Sequence, residues 1–391
     1  MVENIATDLR GSVVTGLSGN EIYCVDMLGY HPGNLLVGNS VYARGLIGTF
    51  SSGFRAMIGG EVTPITQTIA EGRRLAMDRL MDEMGASNGH GATGVSSEVI
   101  FHASNIEFLS VASTIHQKEG VPTSTFTTAA DGQELYCQMD AGYTPISFVM
   151  GNVAYSIGLA RGIGGMFKQL VKGEVRQYSD IFTTTRNLAL ERIIADAKAV
   201  GANAVIGIKT NILPFQGTTI QEMLMVGTAS RHEIQNEAVQ SHEVITSDLT
   251  AEEMWGLARI GYTPLQLVLG TSVYSLGFLG GISVSLKNLV KGEISEMTEL
   301  IYSAREESLG KVKQQATDIG ADDVVGVRTY IYDLGGGMIE FLAIGTAVKR
   351  TQSITTKSDQ LIPQAIITDK DTFVNTAELS YGTTITSRPT S

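Results

Sequence analysis

Apolar residues return at helical spacing three times along the chain. Met77, Leu80, Met81 and Met84 form the first stripe. Leu190, Ile193, Ile194 and Ala197 form the second; Leu309, Val312, Lys313 and Ala316 form the third, with one lysine interrupting it. The i, i+3, i+4, i+7 pattern predicts a long helix with one face on a core. The second and third stripes run into "VGANAVIGI" (Val200–Ile208) and "IGADDVVGV" (Ile319–Val327). Gly201 and Gly320 suit a helix C-terminus, where a left-handed backbone is needed, and the β-branched run that follows predicts a strand. A second strand is predicted at "IEFLSVAST" from Ile106, "IQEMLMVGTA" from Ile220 and "MIEFLAIGTA" from Met338. Upstream of each stripe, a strand and a Gly-rich turn are predicted from "GYHPGNLLVGNSVYARG" at Gly29, "GYTPISFVMGNVAYSIG" at Gly142 and "GYTPLQLVLGTSVYSLG" at Gly261. A short opening helix is clearest at "SDLTAEEMWGLARIG" (Ser247–Gly261), with Asp248 or Thr250 as N-cap.

These patterns are one unit used three times. The offsets of 113 and 119 hold without a gap through Gly38/Gly151/Gly270, Tyr42/Tyr155/Tyr274, Gly45/Gly158/Gly277 and Glu61/Glu174/Glu293. Between Glu134–Val175 and Glu253–Ile294, 18 of 42 positions are identical. A period this long is domain-sized rather than solenoid-like. The units are placed at residues 1–118 (the divergent first copy, with "SNGHGATGV" at its helix-to-strand turn), 119–235 and 236–350. A Ser/Thr-rich tail follows at 351–391, in which Gln364–Val374 suits an extended strand. Each unit reads as an α+β layer, a small antiparallel sheet with helices packed on one face. Three strands leave edges and a face open, which predicts burial against neighbouring copies.

Composition narrows the function classes. The net charge of −12 and the absence of a Lys/Arg run argue against nucleic acid as a partner. Two cysteines, Cys24 and Cys137, in separate units fit a reducing compartment, and the N-terminus carries no apolar signal segment, so a cytoplasmic protein is expected. Leu265–Leu286 is 22 residues without a charge. Its Ser, Thr and Gln content, and the arginines Arg44 and Arg161 in the equivalent stretches, favour a buried strand and turn over a membrane span.

The "GA-(N/D)-A-V-(I/V)-G-I" helix end, the Gly-Glu dipeptide and the final strand ending "GTA" resemble the YbjQ-like family, whose members are often described as putative heavy-metal-binding. The stretch Asp248–Tyr274 carries the likeness most strongly, and the first unit most weakly. The resemblance implies dodecin-like β-α-β-β units, ring-shaped oligomers, commonly of five units, and no established catalysis.

The recurring charged residues are the interface or ligand candidates. Glu61, Glu174 and Glu293 follow the glycine of "GGE" or "KGE", and Arg73, Arg186 and Arg305 come twelve residues later in each copy. The expected arrangement is a Glu–Arg pair within a unit or across an interface, Glu174–Arg186 being the model case. "LVKGE" itself, with Lys172 or Lys291, is read as a helix C-terminus rather than an anion loop. Glu107, Glu222 and Glu340 open the last strand; a solvated strand end is the favoured reading, a ligand group the other. For metal the sequence offers little. Cys24 and Cys137 are equivalent, but the third unit has Gly256 there; the six histidines do not recur in register, and no CxxC, HxxxH or HExxH occurs. No metal, cofactor or catalytic residue is therefore assigned, and no nucleophile, phosphate or dinucleotide motif is present. The reading is a non-enzymatic, cytoplasmic, homo-oligomeric assembly protein forming a ring or larger closed particle, with a pentamer of chains as the first expectation. The alternative is a small-ligand or metal-binding module with pockets between units.

Overall fold

The computed structural model of the chain describes residues 12–43, 60–102, 105–118, 124–156, 173–215, 220–233, 242–275, 295–335, 338–351 and 356–359. The first unit contains α1 (Gly19–Met27), β1 (Tyr30–Ala43), β2 (Gly60–Glu61), α2 (Thr63–Ala86), β3 (Gly91–Phe101) and β4 (Asn105–Gln117). After β5 (Phe126–Thr127), the second contains α3 (Gly132–Asp140), β6 (Thr144–Ser156), β7 (Gly173–Glu174), α4 (Arg176–Ala199), β8 (Ala204–Pro214) and β9 (Ile220–Arg231). After β10 (Ile245–Thr246), the third contains α5 (Ala251–Arg259), β11 (Tyr262–Ser275), α6 (Ser295–Asp318), β12 (Asp323–Gly335) and β13 (Met338–Arg350). The fold is α+β, three β-α-β-β units in tandem.

In each unit the last strand lies between the first and the middle strand, antiparallel to both. The long helices α2, α4 and α6 pack on β1, β6 and β11 of their own units. The closeness of that packing depends on Gly38, Gly151 and Gly270, where a Cβ would lie 2.1, 2.2 and 2.1 Å from a helix carbonyl oxygen. Gly201 and Gly320, at φ +74° and +70°, end α4 and α6 as expected. In the divergent first unit Asn88 adopts φ 53° at the same position. Asparagine tolerates the left-handed region better than other non-glycine residues, so the turn survives there without a glycine.

The short helices start on three capping boxes: Ser18 with Glu21, Asp131 with Glu134, and Thr250 with Glu253. Thr250 is thus the N-cap, while Asp248 is buried and accepts from the Thr346 hydroxyl at 2.7 Å. The three helices pack in a row, joined by side-chain hydrogen bonds from Asn20 to Gln133 (2.6 Å) and from Gln133 to Glu252 (3.2 Å).

The Gly-Glu dipeptides correct one expectation. Gly60–Glu61 and Gly173–Glu174 are two-residue strands, each paired antiparallel to the first strand of the next unit: β2 on β6, and β7 on β11. The segments joining the units, β5 and β10, add in parallel to the middle strand of the preceding unit. Lys172, Lys291 and Glu293 lie outside the described residues, as does Gln364–Val374. The start of the tail is described: Ser358 donates its hydroxyl to Asp140 Oδ1 at 2.6 Å on α3. Of Leu265–Leu286, the part through Ser275 is strand β11, and the rest lies outside the described residues. No helix among the described residues is long and apolar enough to cross a membrane.

Candidate functional site

The junctions between units hold most of the candidate residues. Unit two's core continues into unit three: Phe182, Ile193, Ile208 and Met223 share one cluster with Leu267, Val273, Leu334 and Met338. Ile65, Ile69, Val99 and Phe108 of the first unit likewise cluster with Ala154, Phe215 and Ile220 of the second. Each of the helices α2 and α4 lies on its own sheet and also against the first strand of the following unit.

An arginine is buried in each junction. On α2, Arg73 shares a stripe with Ile69, Ala76 and Leu80, all buried, so helical spacing carries it into the apolar seam. Its Nε and Nη2 donate to Glu222 Oε1 and Oε2 at 3.1 and 2.7 Å, and Nη1 donates to the Ser97 carbonyl and hydroxyl, both at 2.9 Å. Asn152 Nδ2 adds a bond to Glu222 Oε1 at 3.3 Å. In the second junction Arg186 Nη2 donates to Glu340 Oε1 and Oε2 at 2.9 and 2.8 Å, and Nε to Oε1 at 3.2 Å. The Arg186 guanidinium lies 4.7 Å from the Tyr155 ring centroid and 5.4 Å from that of Phe182. Arg186 and Glu340 are both 0 % exposed. Burial alone would lower the arginine's pKa; the Glu340 carboxylate and the Tyr155 hydroxyl together outweigh that and hold the guanidinium above its ordinary value.

Two sequence expectations are thereby corrected. Glu222 and Glu340 are not solvated strand ends; each is fully buried as the partner of an arginine from the preceding unit. Nor does Glu174 pair with Arg186. Glu61 pairs with Arg192 at 2.8 Å, and Glu174 with Lys311 at 3.4 Å, with Arg176 at 3.6 Å. Both recurring motifs sit at the junctions, but each glutamate reaches forward to the next unit's helix. Arg192 and Lys311 are equivalent to one another and to Arg79, a basic position that recurs in all three units and that the sequence reading did not single out.

At the two ends of the chain the series is incomplete. Arg305, equivalent to Arg73 and Arg186, is exposed, with its guanidinium 6.0 Å from the ring centroid of Tyr302. Glu107, equivalent to Glu222 and Glu340, accepts from Asn39 Nδ2 at 2.8 Å and contacts His102 Nε2 at 2.7 Å. The Asn39 hydrogen bond, with a further one from His102, holds its carboxyl below the usual value.

The metal expectation is tested by the donors present. Cys24 and Cys137 are buried beside Tyr136 and Ala251 and are not joined in a disulfide, and burial, with Asp131 nearby, pushes Cys24 up to about 11. Such a thiol is a poor source of thiolate. The sequence pattern missed one grouping: His31 faces His116 across β1 and β4, and the His90 ring lies edge-on to His116 at 6.4 Å. His90 Nδ1 is committed to the Gln117 backbone N–H at 3.2 Å. Among the described residues no group of three or more His, Cys, Asp or Glu is placed to hold a metal ion.

A cleft of about 530 Å³ opens at the first junction, lined among others by Ser97, Ser113, Asp131, Glu134, Lys209 and Asn211. Burial raises the pKa of Glu134, which lies 3.7 Å from Lys209.

Comparison with known proteins agrees with the threefold organisation. A family model described as "Putative heavy-metal-binding", the YbjQ family, matches residues 30–111, 142–233 and 258–351. An encapsulin nanocompartment protein of Mycobacterium tuberculosis is 29% identical over 235 residues, covering 59% of this chain and 87% of that protein. UPF0145 proteins match over the length of about one unit. That of Pseudothermotoga lettingae is 39% identical over 92 residues, covering 23% of this chain and 86% of its own length. That of Enterococcus faecalis is 35% identical over 100 residues, covering 26% and 92%.

Proposed function

This chain belongs to the YbjQ family, and on that premise we propose that it is a non-enzymatic, cytoplasmic structural protein that assembles with copies of itself into a closed particle. The observation that carries the reading is the sharing of cores. Units two and three bury their apolar residues in one cluster, and units one and two in another. A unit built this way is complete only with a neighbour on either side, and among the described residues the first and third units each keep one face that no other unit covers. The similarity to a protein named for an encapsulin nanocompartment supports assembly in the same direction.

The junctions are head-to-tail, so they close into a ring or continue as a filament. A ring made through them contains a multiple of three units. The resemblance to single-unit rings of five makes six units, from two chains, the nearest such count. Five chains, with fifteen units, is the competing count. Light scattering and native mass spectrometry decide it. Two chains give about 83 kDa, twice the 41.7 kDa of one chain. A 41.7 kDa species persisting at micromolar concentration overturns the assembly reading.

The cleft at the first junction favours a second reading, a small polar ligand held between units beside Lys209 and Glu134. A stoichiometric small molecule released from purified protein on denaturation, and detected by mass spectrometry, would establish it.

A further inference from the structure

The two internal junctions act as a template for a third. Each brings together an arginine from the long helix of one unit and a glutamate from the last strand of the next. The chain then ends with one such arginine, Arg305, on its last unit and one such glutamate, Glu107, on its first. We propose that Arg305 of one chain docks onto Glu107 of a second copy, completing between chains the buried ion pair found twice within the chain; the proposal rests on the assembly reading and names the surface that performs it.

The surroundings of both groups follow the template. Ile301 stands where the first and second units have Ile69 and Phe182. Those two are buried in the junctions, whereas Ile301 is 37% exposed. Ile331 stands where the first unit has the buried Val99 and the second has Ile212, half-buried against the second junction's core; it is 61% exposed. On the opposite end, Val41 is 55% exposed, while its equivalents Ala154 and Val273 are completely buried. The uncovered apolar positions are thus those that a further unit covers inside the chain. They lie on both ends, on complementary faces, around opposite charges.

The acceptor side is already arranged. Asn39 bonds Glu107 at 2.8 Å, as Asn152 bonds Glu222 at 3.3 Å in the first junction, so Glu107 is oriented before an arginine arrives. One residue departs from the template. His102 occupies the position of the buried Phe215 and Leu334, and it lies against Glu107. The junction between chains therefore has one more polar group and less apolar surface than the internal two, which makes it the weakest of the three.

The test compares the native masses of the full-length chain, Arg305→Glu, Glu107→Arg, and the double variant Arg305→Glu/Glu107→Arg. The wild type is expected to be oligomeric. Each single variant places like charges opposite one another and is expected to dissociate, its dissociation constant rising at least about thirtyfold. The double variant restores an opposite pair at every junction, whatever the number of chains, and is expected to recover the wild-type mass. Circular dichroism should be unchanged throughout, since both residues lie on open faces. An oligomeric wild type whose variants assemble equally well overturns this contact and leaves the assembly reading standing. Single variants that dissociate without rescue in the double variant also overturn the pairing. A monomeric wild type overturns both the contact and the assembly reading.

Discussion

Gly151 of β6 lies so close to α4 that a Cβ there would stand 2.2 Å from the Ala189 carbonyl oxygen and 2.6 Å from the Ile193 nitrogen. Both contacts are backbone, so nothing flexible can move aside. Gly151→Ala must push helix from strand, and overpacking of this kind typically costs about 1–3 kcal/mol. Urea unfolding followed by circular dichroism should show that loss. Gly310→Ala provides the contrast: it sits in α6 with open space around it. There, alanine should stabilise by about 0.5–1 kcal/mol through helix propensity. Equal midpoints for the two variants would contradict the packing described.

Asn88 supplies the left-handed residue that Gly201 and Gly320 supply elsewhere. Asn88→Gly should be neutral or stabilising, and Asn88→Ala should destabilise by about 1–2 kcal/mol, the cost of that backbone region for an ordinary residue. Thermal denaturation of the pair separates them; a more stable alanine variant would contradict the assignment.

Arg186 bears on folding of the chain rather than on association between chains, because its partner Glu340 belongs to the same chain. Arg186→Ala strands a buried carboxylate. Removing one member of such a pair typically costs about 3–5 kcal/mol. The expected outcome is a large drop in the urea midpoint of the purified chain. Arg305→Ala, whose proposed partner lies on another chain, should leave that midpoint within about 0.5 kcal/mol when the protein is dilute enough to be monomeric. A drop in both of similar size would mean the two arginines have equivalent surroundings after all.

Cys24 should be inert in the native protein. Its thiol is held up at about 11 by burial first and by the nearby carboxylates after that. At pH 8 the thiolate fraction is then on the order of a thousandth. An aromatic disulfide reagent should release no colour from Cys24 until denaturant is added, when both Cys24 and Cys137 should react. Prompt reaction of Cys24 without denaturant would show the helix row to be open.

Purified protein should retain no stoichiometric zinc, copper or cadmium after dialysis, because neither thiol is accessible and His90 is already committed to a backbone N–H. Elemental analysis showing about one metal ion per unit, lost in a Cys24→Ser, Cys137→Ser double variant, would overturn this.

The local elements were legible in the sequence because they depend on near neighbours. The stripes at Met77, Leu190 and Leu309 mark α2, α4 and α6, and the glycines at 201 and 320 mark their ends. The need of a three-stranded sheet for neighbours was also legible, since it follows from counting strands. The partners of the charges were not. Glu174 and Arg186 are twelve residues apart and suggested each other, yet each is matched across a junction, to Lys311 and Glu340.

The sequence by itself thus determined the unit, its threefold repetition and the residues each copy uses, because periodicity, turn chemistry and internal identity are properties of the chain read in order. Only the tertiary structure decided what those residues do. Whether Glu222 meets water or Arg73 depends on where a helix 149 residues away in the chain is laid down. That placement is set by apolar seams and sheet edges shared between units. No local pattern encodes such a meeting, because burial of a charge becomes tolerable only once the opposite charge has been brought to it.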